Sequence, residues 1–277
     1  MLTKAETLTV KPWAFLLALW VFLGPRTQQK VHGLFMPTKE ENNKSQIKSR
    51  QRVADHGEVF TNPREVNAML DLVRDESFRL DSRFLEPACG DGNFLVEILH
   101  RKLSLIENLK SQTEWEFNSL IAVSSCYGIE LLPDNTEACR QRLEEIVLTD
   151  YYMNFMSLKR IDDPNPGIPV RFGYSYNSSL LNEYHKSLRY MLQKNIVCGD
   201  ALTYRTAEDK PITFCEWTPI AGSMQFSRRN FQFDFLVTKN HQYSLFDEQG
   251  EVQSFDEPVR TYPPLHYTQL YRYEEQL

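Results

Sequence analysis

Three short apolar runs, each ending in polar residues, predict three buried β-strands. The first is Phe84-Leu85, which leads into the sequence Glu-Pro-Ala-Cys-Gly-Asp-Gly at 86–92. The second runs from Ser119 to Leu132 and carries an acidic residue near its end; the third covers 195–198 and leads into Gly-Asp. Apolar runs of this length that are bounded by turn residues are typical of strands buried in a sheet.

Helical periodicity separates the predicted strands. Apolar residues recur at helical spacing in four segments, at 66–73, from Asn93 or Phe94 onward, from Pro133 towards Tyr152, and at 179–193. A fourth strand is predicted at 211–219, and the apolar segment 233–237 is a further strand candidate. Strands that alternate with helices predict an α/β fold.

The glycine turn after the first strand is the strongest chemical signal in the chain. Gly90 and Gly92 permit positive φ angles and carry no side chain that would block a ligand. A strand, a tight turn and a helix in this order bring free backbone amides towards a bound group. The alternative is a strand-to-helix turn that binds nothing.

Acidic residues close the second and third predicted strands. Glu130 can accept hydrogen bonds from both hydroxyls of a ribose, and Asp200 can accept one from an adenine amino group. Ligands of open α/β sheets bind beyond the carboxyl ends of the strands. The three polar strand ends therefore predict one crevice for a single nucleoside ligand.

Four ordered motifs carry a resemblance to a known family. They are the polar turn and helix at 56–70, Glu-Pro-Ala-Cys-Gly-Asp-Gly-Asn-Phe-Leu at 86–95, Gly-Ile-Glu at 128–130, and Gly-Asp-Ala-Leu at 199–202. Together they resemble the S-adenosylmethionine-dependent amino-methyltransferases of restriction–modification systems, namely adenine-specific DNA methyltransferases and type I modification subunits. The likeness covers residues 50–205. It implies a Rossmann-like class I methyltransferase fold, a three-layer sandwich around a mixed, mostly parallel sheet.

The resemblance implies a set of residues that bind S-adenosyl-L-methionine. Phe60 and Thr61 would lie against its methionine end, Glu86, Ala88, Gly90 and Gly92 beneath its carboxylate and amino groups, Glu130 at the ribose and Asp200 at the adenine. Two simpler roles stay open. Thr61 is also placed to cap the helix that follows it, and Glu130 is also compatible with an ordinary solvated strand end.

The chain departs from the family where the chemistry is expected. Relatives carry Asn/Asp-Pro-Pro-Tyr/Phe after the fourth strand, and this tetrapeptide is absent here. Methylation of an exocyclic amine requires an acceptor for its hydrogens and an aromatic face for the extruded base. By spacing, Glu216 and Trp217 are the first candidate pair, and Asn240 and Tyr243 are the second. The alternative is that Trp217 and Tyr243 are packed or surface aromatics without a substrate.

These features predict a site-specific, adenine N6 DNA methyltransferase. The competing hypothesis is a catalytically inactive, cofactor-binding pseudo-methyltransferase that acts as a structural or regulatory subunit of a restriction or phage-defence complex. An RNA or protein methyltransferase is a third alternative, because the target is not encoded in a cofactor site.

Charge favours a subunit over a self-sufficient enzyme. The 277 residues include 31 basic and 37 acidic side chains, a formal net charge of −6. Autonomous DNA-binding domains are usually basic, so we expect weak binding to DNA alone and a partner such as a specificity or restriction subunit. The basic residues of the arm at 36–55 form either a DNA-binding stripe or a solvated surface, and they are Lys44, Lys48, Arg50 and Arg52.

The five cysteines are scattered and show no metal-binding spacing. We therefore expect no metal and no disulfide framework, and small buried thiols suit a reducing cytoplasm.

The first 35 residues differ from the rest because residues 12–23 are apolar. We expect translation to start at Met36 in a cytoplasmic protein; a membrane anchor and a cleaved signal are the alternatives. The predicted organisation is an N-terminal extension at 1–35, an arm at 36–55, the cofactor-binding domain at 56–246 and a tail rich in proline and aromatic residues at 247–277.

Overall fold

A computed structural model of the chain describes residues 52, 61–155, 179–238 and 258–276. The apolar run at 12–23, three basic residues of the arm (Lys44, Lys48 and Arg50) and three predicted site residues (Phe60, Asn240 and Tyr243) lie outside the described residues. None of the described helices is both long enough and apolar enough to cross a membrane.

The described elements alternate between helices and strands in the first two thirds of the chain and form a strand-rich unit after that. In order they are α1 (Pro63–Asp71), α2 (Arg74–Ser77), β1 (Phe84–Glu86), α3 (Asn93–Ser104), α4 (Gln112–Ser124), β2 (Cys126–Glu130), α5 (Pro133–Phe155), α6 (Ser179–Asn195), β3 (Ile196–Cys198), β4 (Thr213–Ile220), β5 (Gln225–Gln232), α7 (Phe233–Thr238), β6 (Arg260–His266) and a C-terminal 3-10 helix (Tyr267–Gln276).

The first three strands form a parallel sheet in the order β1-β2-β3. The predictions of a strand before the glycine turn and of strands ending near Glu130 and Gly199 are confirmed. The predicted start of the second strand is wrong, since residues 119–123 belong to helix α4. A short apolar run does not distinguish a buried helix from a buried strand, and Ser111 caps this helix by accepting a hydrogen bond from the amide of Glu114 (3.3 Å).

The remaining strands form a separate antiparallel sheet in the order β4-β5-β6. The expected single, mostly parallel sheet is therefore wrong, and the observed fold is mixed α/β with two three-stranded sheets. A local hairpin explains the difference. Gly222 and Met224 have positive φ angles of 74° and 53°, which turn the chain back so that β5 pairs with β4.

Strand β4 runs in the direction opposite to β3. Near its start, Ile212 packs so tightly against Gly199 that an added Cβ there would lie 2.8 Å from the Ile212 Cδ1 atom. Further along β4, the Trp217 indole donates to the side chain of Asn195 (2.9 Å), and Asn195 is the residue that precedes β3. The strand thus begins at the carboxyl end of the parallel sheet and passes its amino end.

Apolar side chains fill the space between the two sheets. Alternate residues of the parallel sheet (Leu85, Tyr127 and Ile129) form one cluster with Ile212, Phe214 and Phe233. The Tyr127 hydroxyl also donates to the backbone carbonyl of Cys215 (2.9 Å). A larger cluster joins the other face of β1 and β2 to the helices, so the parallel sheet is buried on both faces.

The segment that links helix α2 to strand β1 is fixed by a buried lysine. Lys102 of helix α3 is fully buried, and its ammonium group donates to the carbonyls of Leu80 and Ser82 and to the Ser125 hydroxyl. Burial lowers the pKa of Lys102 to about 8. Three oxygen acceptors satisfy the three donors of the ammonium group.

The described part of the tail is docked on the domain. Strand β6 pairs with β5, and the 3-10 helix packs along α6. The Tyr267 hydroxyl donates to the buried carboxylate of Glu116 (2.7 Å), and Tyr273 donates to the carbonyl of Phe226 (2.9 Å). Because Glu116 is only 6% exposed, this hydrogen bond satisfies an otherwise costly charge.

We predict that Trp217 is a stability determinant. Its side chain is 2% exposed. Truncation by Trp217→Ala should lower the free energy of unfolding by about 3–5 kcal/mol, because it leaves a cavity and removes the donor to the side-chain oxygen of Asn195. Leu72→Ala is the control, since Leu72 is 78% exposed, and it should change stability little. Chemical denaturation measures both; equal, small effects would contradict the buried placement of the indole.

Candidate functional site

The glycine turn has the geometry predicted from its sequence. Gly90 and Gly92 adopt φ angles of 55° and 95°. A Cβ added to Gly92 would also lie 2.7 Å from the Sγ atom of Cys139. Both backbone conformation and space therefore require glycine at this position. Helix α3 begins directly after the turn, at Asn93, as expected.

The amino end of helix α3 faces this turn without a side-chain cap. Gly92 occupies the N-cap position and contributes no side chain. The first amides of a helix have no partner inside the helix and carry a partial positive charge. They form a place where a carboxylate group can be bound, whereas the amides of Gly90 and Gly92 already donate to Glu130 and to the Cys89 carbonyl.

Glu130 links the glycine turn to the end of strand β2. Its carboxylate accepts hydrogen bonds from the amide of Gly90 (2.9 Å), the amide of Leu132 (3.0 Å) and the Asn135 side chain (3.3 Å). The residue is 8% exposed, so it is not an ordinary solvated strand end. A carboxylate has about four acceptor positions, and three donors leave capacity for a hydroxyl group.

Glu86 lies at the carboxyl end of β1, in register with Gly128 of β2. Part of its surface is exposed, but the protein around its carboxyl group removes enough water to raise the pKa of Glu86 to about 7. A hydrogen bond from the Ala88 backbone opposes this effect only in part. A cationic group, such as an amino group, would stabilise the charged form of Glu86.

Asp200 lies at the same edge of the sheet. The Gly199 amide donates to the Glu130 carbonyl (2.9 Å), which places the turn after β3 beside the end of β2. One carboxylate oxygen of Asp200 accepts from the Leu202 amide (2.8 Å). The three predicted polar strand ends therefore share one edge.

Two exposed leucines at this edge are functional candidates that the sequence analysis did not assign. Leu131 follows Glu130 and is 56% exposed, and Leu202 is 76% exposed beside Asp200. Large apolar side chains next to hydrogen-bonding groups suit the faces of a planar base. The only sequence signal is a leucine just after each acidic strand end.

Thr61 contacts the glycine turn through its backbone. Its carbonyl accepts a hydrogen bond from the Asn93 side chain (3.2 Å). The alternative that Thr61 caps helix α1 is wrong, because Asn62 is the N-cap and accepts from the Arg64 amide (2.9 Å).

Glu216 and Trp217 lie at the opposite end of the parallel sheet. Glu216 is 8% exposed and binds Arg83 (2.7 Å), which precedes strand β1, and Arg229 (2.8 Å). Strand β1 separates Arg83 from the crevice by about 10 Å. Trp217 binds Asn195, which precedes β3. The expectation that this pair meets a base at the crevice is therefore corrected, because β4 runs in the reverse direction.

A scan of protein-family models, a comparison with curated proteins and a search of solved structures found no match to this chain. Among the described residues, no group of three or more His, Cys, Asp or Glu side chains is arranged to hold a metal ion. The geometry of the crevice is thus the basis for assigning a function.

We predict that the pKa of Glu86 governs the pH dependence of ligand binding. The carboxyl group is mostly neutral at pH 6 and mostly charged at pH 8, so affinity for a ligand with a cationic amino group should rise by up to about tenfold over this range. Titration with S-adenosylhomocysteine by calorimetry measures the change. Glu86→Gln should remove the pH dependence; an unchanged profile in this variant would exclude Glu86 as its cause.

Proposed function

We propose that the crevice at the carboxyl ends of β1, β2 and β3 binds S-adenosyl-L-methionine. The observation that carries the proposal is the hydrogen bond between the Gly90 amide and the Glu130 carboxylate (2.9 Å). It joins a turn suited to the amino-acid part of a ligand to an acidic strand end suited to a ribose.

Each part of the cofactor matches residues at this edge. Glu130 has acceptor capacity for a ribose hydroxyl, and Leu131 and Leu202 offer apolar faces to the adenine beside Asp200. The glycine turn and the amino end of α3 suit the carboxylate of the methionine part. Glu86 suits its amino group.

We further propose methyl transfer to an exocyclic amine of DNA, with adenine N6 as the leading target. The bound cofactor supplies a methyl group on a sulfonium. The protein then has to accept the hydrogens of the amine and stack the extruded base. No covalent intermediate on the protein is required, because correct positioning lets the amine nitrogen attack the methyl group directly.

Asn240 and Tyr243 are the preferred pair for these two tasks. Strand β5 runs back towards the crevice, and the Phe233 amide at its end donates to the Ile212 carbonyl (2.8 Å), beside Gly199. The ring of Phe233 also lies 5.4 Å from that of Tyr204. The strand expected at 233–237 is instead helix α7, which starts at the correct end of the sheet and precedes 240–243 in the chain.

Charge supports a role within a larger assembly. The net charge of −6 is unfavourable for binding DNA without help. Arg52, the described residue of the basic arm, is engaged with Asp134 of α5 (2.8 Å). We propose that a specificity or restriction subunit supplies most of the DNA contacts.

A pseudo-methyltransferase is the second candidate function. The observation that favours it is the placement of Glu216 and Trp217, which removes the better-spaced catalytic pair from the crevice. The protein would then bind the cofactor and serve as a structural or regulatory subunit.

Replacing Glu130 tests the cofactor site. We expect Glu130→Ala to weaken binding of S-adenosylmethionine by about 1–3 kcal/mol, because a ribose hydroxyl and the Gly90 amide lose their acceptor. The matched control is Glu137→Ala, an exposed glutamate on helix α5. Calorimetry measures binding, and circular dichroism checks the fold. Absence of binding by the wild type at millimolar cofactor would refute the proposal.

Replacing Asn240 separates the two candidate functions. If the chain is an enzyme, Asn240→Ala and Tyr243→Ala should each reduce labelled methyl transfer to DNA by at least about a hundredfold, while cofactor binding persists. Assays run with and without a neighbouring specificity subunit. Glu216→Gln is the control and should retain activity in proportion to folded protein. Cofactor binding without transfer by the wild type would favour the pseudo-methyltransferase.

A further inference from the structure

One face of helix α5 contacts Glu130 and the glycine turn. Asn135, Cys139 and Arg142 lie at positions i, i+4 and i+7, which share one side of a helix. Asn135 donates to the Glu130 carboxylate (3.3 Å), and Cys139 occupies the space that a side chain at Gly92 would need. The third residue, Arg142, reaches the glycine turn itself.

Arg142 binds the turn through a single nitrogen. Its Nη1 atom donates to the backbone carbonyl of Asp91 (2.8 Å) and to the side-chain oxygen of Asn93 (2.9 Å). The same atom forms an ion pair with the Asp91 carboxylate (2.9 Å). Two hydrogen bonds, to Asp91 and Asn93, and one ion-pair contact with the Asp91 carboxylate thus tie the turn to helix α5.

Asn93 extends this contact to the segment before α1. Its amide oxygen accepts from Arg142, and its amide nitrogen donates to the Thr61 carbonyl (3.2 Å). These partners determine which side-chain atom of Asn93 is the oxygen and which is the nitrogen, because an arginine only donates and a carbonyl only accepts. Helix α5, the glycine turn and the residue before the α1 cap are joined in one chain of hydrogen bonds.

The turn needs such a support. The amides of Gly90 and Gly92 are held by Glu130 and by the Cys89 carbonyl, whereas Asp91 lies between two glycines and the amino end of α3 has no side-chain cap of its own. A bound carboxylate is recognised only if the amides at the amino end of α3, which follow the turn, hold one orientation. Small displacements of binding groups carry large costs in affinity.

We infer that Arg142 is the positioning residue of the glycine turn, which orients the backbone amides that receive the amino-acid part of the cofactor. This inference rests on the proposed function and adds a residue to it. Arg142 acts through Asp91 and Asn93 and is not itself a ligand-contacting group.

A comparison of two arginines on α5 tests the inference. Arg142→Met removes the donor but keeps the length of the side chain. Arg140→Met is the matched control, because Arg140 donates instead to the Ile196 carbonyl (3.0 Å), at the amino end of β3. Arg142→Lys is the conservative variant, since lysine also presents one nitrogen with several hydrogens.

Three measurements are made on each full-length variant: thermal unfolding, amide hydrogen exchange of residues 88–96 without ligand, and affinity for S-adenosylhomocysteine. We expect Arg142→Met to accelerate exchange in 88–96 and to weaken affinity by about tenfold, with partial recovery in Arg142→Lys. Arg140→Met should lower thermal stability without either effect.

Unchanged exchange in Arg142→Met, or faster exchange with wild-type affinity, would overturn the inference and leave the proposed function intact. Equal losses of affinity in Arg140→Met and Arg142→Met would also overturn it, because the effect would then follow from stability alone. Absence of binding by the wild type would refute the proposed function and the role of Arg142 in it together.

Discussion

The constraint on which the crevice depends is the burial of the Glu130 carboxylate. A buried charge is tolerated only when it is hydrogen-bonded, and Glu130 obtains its donors from the glycine turn, from Leu132 in the turn after β2 and from helix α5. These contacts hold β1, β2 and α5 in one arrangement. The interactions that stabilise the fold at this edge are therefore the ones that shape the proposed ligand site.

Local signals explain why much of the crevice could be predicted from sequence. The turn at Gly90 and Gly92 follows from the conformational freedom of glycine. An acidic residue after an apolar run indicates the end of a strand, whichever strand it pairs with. The start of β2 could not be predicted in the same way, because residues 119–123 satisfy both a strand and a fully buried helix. Only the packing of α4 decides between them.

The direction of β4 could not be predicted from the sequence. Spacing along the chain placed Glu216 and Trp217 after a fourth strand, but it could not show that the hairpin at Gly222 pairs this strand with β5. Nor could it reveal that Arg83 and Arg229 neutralise Glu216. Such contacts join residues that are distant in sequence, and they change a candidate acceptor into part of the packing between the sheets.

The docking of β6 and the 3-10 helix has a consequence for how the protein forms during synthesis. Leu270 and Tyr273 are fully buried, and Tyr273 packs against Trp217 and Tyr262 around the buried side chain of Arg228. The parallel sheet can assemble before β6 has been synthesised, but the antiparallel sheet lacks its third strand until β6 is present. A chain truncated before Leu270 would therefore retain every residue of the parallel sheet but lack part of the aromatic core around Arg228.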